Sequence, residues 1–126
     1  MIQFVTVGAK NRGESEAFYN PVLAEIGFER MPDYERWAAW GPKGSKKNQI
    51  YVGAPFAGEQ RAGNGIMFAV RAPSEGAVRA AHSAGLRSGG SDDGGPDYRP
   101  KESQWYGAYL RDPAGNKICI CYSPDA

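Results

Sequence analysis

The same order of strand-like and helix-like segments occurs twice in this chain, and that doubling restricts the fold more than any other feature of the sequence. Ile2 to Gly8 is an apolar run in which Ile2, Phe4 and Thr6 alternate with Gln3, Val5 and Val7, so it reads as a strand buried on both faces. A helix is expected next. Asn11 and Glu14 have the spacing of a helix-start capping pair, and Phe18, Val22 and Ile26 then recur on one face before Gly27 ends the pattern. Pro21 removes a backbone donor at a cost of roughly 3 kcal/mol in a helix interior, which predicts a kink or break near Tyr19. Phe28 to Asp33, Arg36 to Trp40 and Gln49 to Gly53 are three short strand-like runs, with the turn from Lys43 to Lys47 closing one hairpin.

The second half repeats this order. Gly65 to Arg71 is strand-like. Pro73 and Ser74 open a helix with Ala77, Val78, Ala81 and Ala84 on its inner side, and Gly85 is the expected end. Extended segments follow near Ser91 to Tyr98, Gln104 to Arg111 and Lys117 to Tyr122, and the Gly/Ser/Asp-rich stretch from Ser88 to Pro96 is expected to be mobile. The first strands begin 63 residues apart, at positions 2 and 65. A period that long does not suit a solenoid. Two βαβββ modules, residues 1–53 and 64–126 joined by a linker at 54–63, predict one α+β domain: a curved, half-open mixed β-sheet barrel with helices outside.

Composition limits the partners. Fifteen basic and fourteen acidic side chains give a net charge of +1, without the concentrated basic field that nucleic acid or an anionic membrane selects. No apolar run reaches the roughly 20 residues needed to span a bilayer, and the first ten residues lack a signal-peptide pattern, so a cytoplasmic protein is expected. The only cysteines, Cys119 and Cys121, lie two apart in a strand-like run. They should share a face in a geometry poorly suited to a disulfide, which points to reduced thiols.

The motifs with the most specific spacing are Tyr106-Gly107-Ala108-Tyr109 followed by Asp112-Pro113-Ala114-Gly115-Asn116-Lys117-Ile118, and the Ala17 to Phe28 helix. Asp-Pro and Gly-Asn are turn residues, with Pro113 fixing φ and Gly115 and Asn116 tolerating positive φ. Together with the module order, these segments resemble the glyoxalase/bleomycin-resistance/dioxygenase group, the vicinal oxygen chelate superfamily, over essentially the whole chain. The resemblance implies a small-molecule ligand and a homodimer. It leaves the activity open among lyases, ring-cleaving dioxygenases, epimerases, drug-modifying enzymes and drug-sequestering proteins.

Enzymes of this superfamily usually hold one divalent ion with His, Gln or Glu, and the resemblance places those positions here at Phe4, Gly65 and Cys119, with Gln49 or Tyr51 as a fourth. Three of the four lack an oxygen or imidazole donor, so no metal cofactor is expected. Two thiols fall short of a zinc site. His82, the only histidine, is expected on a helix outside the sheet, away from the cavity. Asp92, Asp93 and Asp97 are expected in a solvated loop.

Alternation from the superfamily's ligand positions assigns Phe4, Thr6, Gln49 and Tyr51 to the cavity, with Met67, Cys119 and Cys121 from the second module. Trp37, Trp105 and Tyr109 are their expected neighbours. A slip of one residue would exchange these for Val5, Ile50, Phe68 and Ile120. The leading expectation is a metal-free binder of a small hydrophobic or aromatic molecule. The alternatives are a metal-dependent lyase or dioxygenase with an atypical site built from Gln49, Cys119 and a partner subunit, and a metal-free enzyme using Tyr51 or Tyr109 as acid and Cys119 as nucleophile.

Overall fold

The computed structural model describes residues 1–124 and contains the two modules in succession. The first comprises β1 (Val5–Gly8), α1 (Arg12–Ala24), β2 (Phe28–Tyr34), β3 (Trp37–Pro42) and β4 (Ile50–Gly53). The second comprises β5 (Phe68–Arg71), α2 (Glu75–Arg87), β6 (Ser91–Tyr98), β7 (Tyr106–Arg111) and β8 (Lys117–Tyr122). Each module builds a four-stranded mixed sheet with the same order, β1-β4-β3-β2 and β5-β8-β7-β6, in which only the first and last strands of the module run parallel. The two sheets do not close into a barrel, and β1 and β5 are edge strands of their respective sheets.

Both helices start as their sequences dictate. The Asn11 side chain accepts a 3.0 Å hydrogen bond from the Glu14 N–H, and Ser74 Oγ accepts one of 3.1 Å from the Ala77 N–H. Each cap satisfies a donor that the first turn cannot, worth about 1 kcal/mol. Contrary to the expected break, α1 runs unbroken across Pro21. Phe18, Tyr19, Val22 and Leu23 are all fully buried, and at about 1.5–3 kcal/mol for each large side chain their packing exceeds the roughly 3 kcal/mol cost of the proline.

The second helix also differs from expectation, continuing past Gly85 to Arg87. Gly85 is needed there for space: a Cβ would lie 2.6 Å from Leu110 Cδ1 and 3.2 Å from Phe18 Cε1. The first strand is shorter than the apolar run, because Ile2 and Phe4 lie before β1 and are 83% and 50% exposed, so two-sided burial fails. The second module's first strand likewise begins at Phe68 and not at Gly65. The Gly/Ser/Asp-rich stretch is not a loop, since Ser91–Tyr98 is a paired strand with register shifts at its glycines.

A single core unites the modules. Trp40, Ile50 and Val52 from the first sheet and Ala108, Leu110, Ile118 and Ile120 from the second pack with the buried faces of both helices. The opposite sheet faces carry the residues of alternate parity.

Candidate functional site

Strand alternation decides which side chains turn away from the helices. Val7, Ile50, Val52, Ile118 and Ile120 belong to the core, and Val5 and Phe68 pack against it. Tyr51 and Thr6 pair across β1 and β4, and Tyr109 and Cys119 across β7 and β8, on the other face. Val5, Ile50, Phe68 and Ile120 accordingly take the core side of their strands, and Thr6, Tyr51, Tyr109 and Cys119 the other.

The ten cavity candidates divide into two sets. A cleft of about 740 Å³ is lined from both modules, by β1 and β5 together with the 60–67 segment and the start of β8; Phe4, Thr6, Gln49 and Met67 line it, and so do Val5, Ile50 and Phe68 of the alternate frame, because the cleft opens at the edge strands, where both parities are reached. Trp37, Tyr51, Trp105, Tyr109, Cys119 and Cys121 stand outside that lining. Tyr51 is nevertheless in contact with it, since its ring meets Phe4 edge-on at 5.2 Å and Tyr34 at 6.1 Å. Trp37 packs on Phe56 of the linker, with ring centres 5.7 Å apart.

The second module's face is covered by a residue that local sequence patterns do not flag. Arg99 folds over it, donating to the backbone carbonyls of Gly95 (2.7 Å), Asp97 (3.3 Å) and Gly107. Its guanidinium lies 5.0 Å from the Tyr109 ring centre, and the Lys117 ammonium lies 5.0 Å from the same ring. The available signal was Gly94-Gly95 in β6: a Cβ at Gly94 would approach Tyr109 Cδ2 to 2.8 Å and Arg99 Nη2 to 3.2 Å.

The Asp-Pro-Ala-Gly-Asn turn ties this end of the molecule together. Asp112 is 4% exposed and accepts four hydrogen bonds: from the Ala114 and Asn116 N–H groups (both 2.9 Å), from Asn116 Nδ2 (3.0 Å) and from the Tyr19 hydroxyl (2.6 Å). Asn116 Nδ2 also donates to the Gly8 carbonyl (2.8 Å), and its Oδ1 accepts from Gln60 Nε2 (3.3 Å). Gly115 takes a φ of 90°, the positive φ expected of the turn, whereas Asn116 does not adopt one. The turn therefore links α1, β1, the linker and the second sheet at one corner of the cleft. Burial and the adjacent Asp112 hold the Tyr19 phenol well above its usual range.

Cys119 and Cys121 share the face away from the helices, as the two-residue spacing dictates. Their chemistry is unequal. Hydrogen bonding to Cys121 and burial push the Cys119 thiol up, whereas the Cys119 donor and the nearby Arg71 bring Cys121 down to about 7. Cys121 Sγ also lies 3.6 Å from the Val70 carbonyl, a weak contact available only to its protonated form. Of the two, Cys119 is 1% exposed and burial favours its protonated form, whereas Cys121 is half-buried and its thiolate is the more favoured, so the metal-free alternative with Cys119 as nucleophile has the less favourable thiol.

His82 lies on α2 and is 7% exposed, its Nε2 2.9 Å from Asp92 Oδ1. Asp92 is held below the ordinary carboxylate range first by the Gly94 N–H and then by His82. The three aspartates are strand residues with partners: Asp93 pairs with Arg111 and Lys117, and Asp97 with Lys101. Among the described residues, no helix is long and apolar enough to cross a membrane.

Solved structures share this architecture. A glyoxalase/bleomycin resistance protein from Albidiferax ferrireducens T118 superposes with a TM-score of 0.83 at 28% identity, over 96% of this chain and 97% of that one. The chain has the fold of the glyoxalase/bleomycin resistance protein/dioxygenase superfamily. A glyoxalase-related enzyme from Fulvimarina pelagi (TM-score 0.74, 17% identity, 98% and 88% coverage) shares the fold. So does a superfamily enzyme from Burkholderia phytofirmans PsJN (0.70, 18%, 97% and 98%). No family model and no curated protein matches the sequence.

The superfamily's usual divalent ion does not fit the residues present. Phe4 and Gly65 offer no donor, and Cys119 retains its proton with the positive charges of Arg99 and Lys117 acting on it, an environment that repels a dication. Among the described residues, no group of three or more His, Cys, Asp or Glu side chains could hold an ion.

Proposed function

We propose that this protein binds a small hydrophobic or aromatic organic molecule in the cleft between the modules, without a divalent metal. The observation that carries this reading is the cleft itself. Its volume of about 740 Å³ lies within the 300–1,000 Å³ typical of small-molecule sites, and Phe4, 50% exposed at its wall, supplies an aromatic surface. The loss of donors at Phe4 and Gly65, where superfamily enzymes place metal ligands, supports binding over metal-assisted chemistry.

Isothermal titration with a panel of planar aromatic compounds tests the reading. Saturable binding that falls about tenfold or more in Phe4→Ala is expected, and a panel without a single saturable binder overturns it. The metal-dependent lyase or dioxygenase alternative is tested by elemental analysis of protein purified without chelator. A stoichiometric divalent ion would restore that alternative.

Superfamily members are commonly dimeric and bind small molecules. A homodimer is proposed here as well, supported by Ile2 and Ile66, which line the cleft at 83% and 71% exposure and are the kind of apolar surface a second copy covers.

A further inference from the structure

Resting on the reading that the cleft binds a small organic molecule, we infer that it selects ligands with an anionic end, a carboxylate or a similar oxyanion, on an apolar body. No aspartate or glutamate lines the cleft, whereas Arg61 and Lys117 both do. Arg61 forms no ion pair among the described residues. Lys117 Nζ lies 3.3 Å from Asp93 Oδ2, but Arg111 Nε takes the same oxygen at 3.0 Å, so two cations share one carboxylate. A positive excess remains beside the cleft.

The side-chain amides of Asn116 and Gln60 at this corner are already engaged. Both amide hydrogens of Asn116 go to Gly8 and Asp112, and Gln60 Nε2 donates to the Arg61 carbonyl (3.1 Å) and to Asn116. Asp112 sits behind Asn116, with its charge met by four donors, and does not line the cleft. Among the described residues, the charged donor without a partner there is the Arg61 guanidinium, while the Lys117 ammonium stands by Asp93 and over Tyr109; the guanidinium favours an oxyanion over a neutral acceptor and disfavours a cation.

Geometry sets the rest of the ligand. From Gly8, at the charged corner, β1 leads back four residues to Phe4, a span of about 13 Å at the rise of an extended strand. A compound with its oxyanion at Arg61 and its apolar rings along β1 matches that length.

The test uses three compounds of one shape, 2-naphthoate, 2-naphthamide and 2-naphthylmethylamine, titrated calorimetrically into the full chain. The acid is expected to bind at least about fivefold more tightly than the amide and the amine most weakly, with the acid's advantage shrinking as salt is raised. Arg61→Gln, a change at an exposed residue whose side chain supports nothing else, should reduce binding of the acid several-fold and leave the amide unchanged. Amide or amine binding as tight as the acid, or an Arg61→Gln variant that retains the full preference, overturns the inference while the small-molecule reading stands. Absence of binding by all three, and by the wider aromatic panel, overturns both.

Discussion

Asp112 shows how one residue can mark a superfamily and at the same time hold its fold. Its carboxylate is buried without a cation, and burial of a charge is tolerated only when hydrogen bonds replace the lost water, here four of them. Removing one donor should therefore cost more than an average hydrogen bond. Tyr19→Phe is expected to destabilise the fold by about 1–3 kcal/mol, read as a lower denaturant midpoint with an unchanged slope. The thiols give a second prediction at this scale. Because Cys121 is brought down to about 7, its thiolate fraction, and with it the rate of alkylation by iodoacetamide, should rise through pH 7 and level off above it. Cys119→Ala removes the donor that favours the Cys121 thiolate, so the midpoint of that profile should move upward towards an ordinary cysteine. A profile unchanged by the substitution would show that Arg71 alone sets the value.

Among the elements, the helices show where local sequence rules stop. The caps at Asn11 and Ser74 are local, because a side chain and a backbone N–H three residues away need no distant partner, and both were legible in the sequence. The ends and continuity of the helices were not. Pro21 reads as a break, yet the buried face of α1 outweighs the lost hydrogen bond. Gly85 reads as a terminator, yet it serves the approach of α2 to Leu110 and Phe18. Gly85→Ala therefore pits a helix-propensity gain of about 1 kcal/mol against overpacking of two fully buried neighbours, which costs about 1–3 kcal/mol. A net loss of thermal stability is expected in a melting experiment. The strand register was readable because side chains alternate strictly, so placing Phe4 on one face committed Thr6 to it as well. The start of β1 was not readable, because an apolar run shows what can be buried and not whether anything covers it: Ile2 and Phe4 have no covering layer in a single chain.

For the molecule as a whole, the modules are joined by the shared core and by the Asp112-Asn116 corner, which reaches α1, Gly8 and Gln60 at once. Asn116→Ala frees the Gly8 carbonyl and one hydrogen bond of Asp112. It is expected to lower stability by about 1–3 kcal/mol and to weaken ligand binding more than a surface substitution does, because the cleft lies between the elements it joins. Light scattering tests the assembly, with a mass near twice 13.6 kDa expected for the proposed dimer and a mass near 13.6 kDa contradicting it. The same scale explains what sequence reasoning missed at the site. Arg99 and Arg61 are ordinary surface cations by local pattern. Only the folded chain brings Arg99 across the second sheet and Arg61 to the wall of the cleft.

The doubled βαβββ order, the caps and the resemblance carried by the Asp-Pro-Ala-Gly-Asn hairpin were legible in the sequence alone, because each rests on spacing along the chain or on short motifs whose geometry is local. Tertiary structure decided which residues meet in a cleft, which of the two thiols is buried, and which charges stand at the cleft's edge. Those outcomes depend on burial and on distances between residues far apart in sequence: Tyr19 reaches Asp112 across 93 positions and Gly8 reaches Asn116 across 108. No local pattern encodes such contacts.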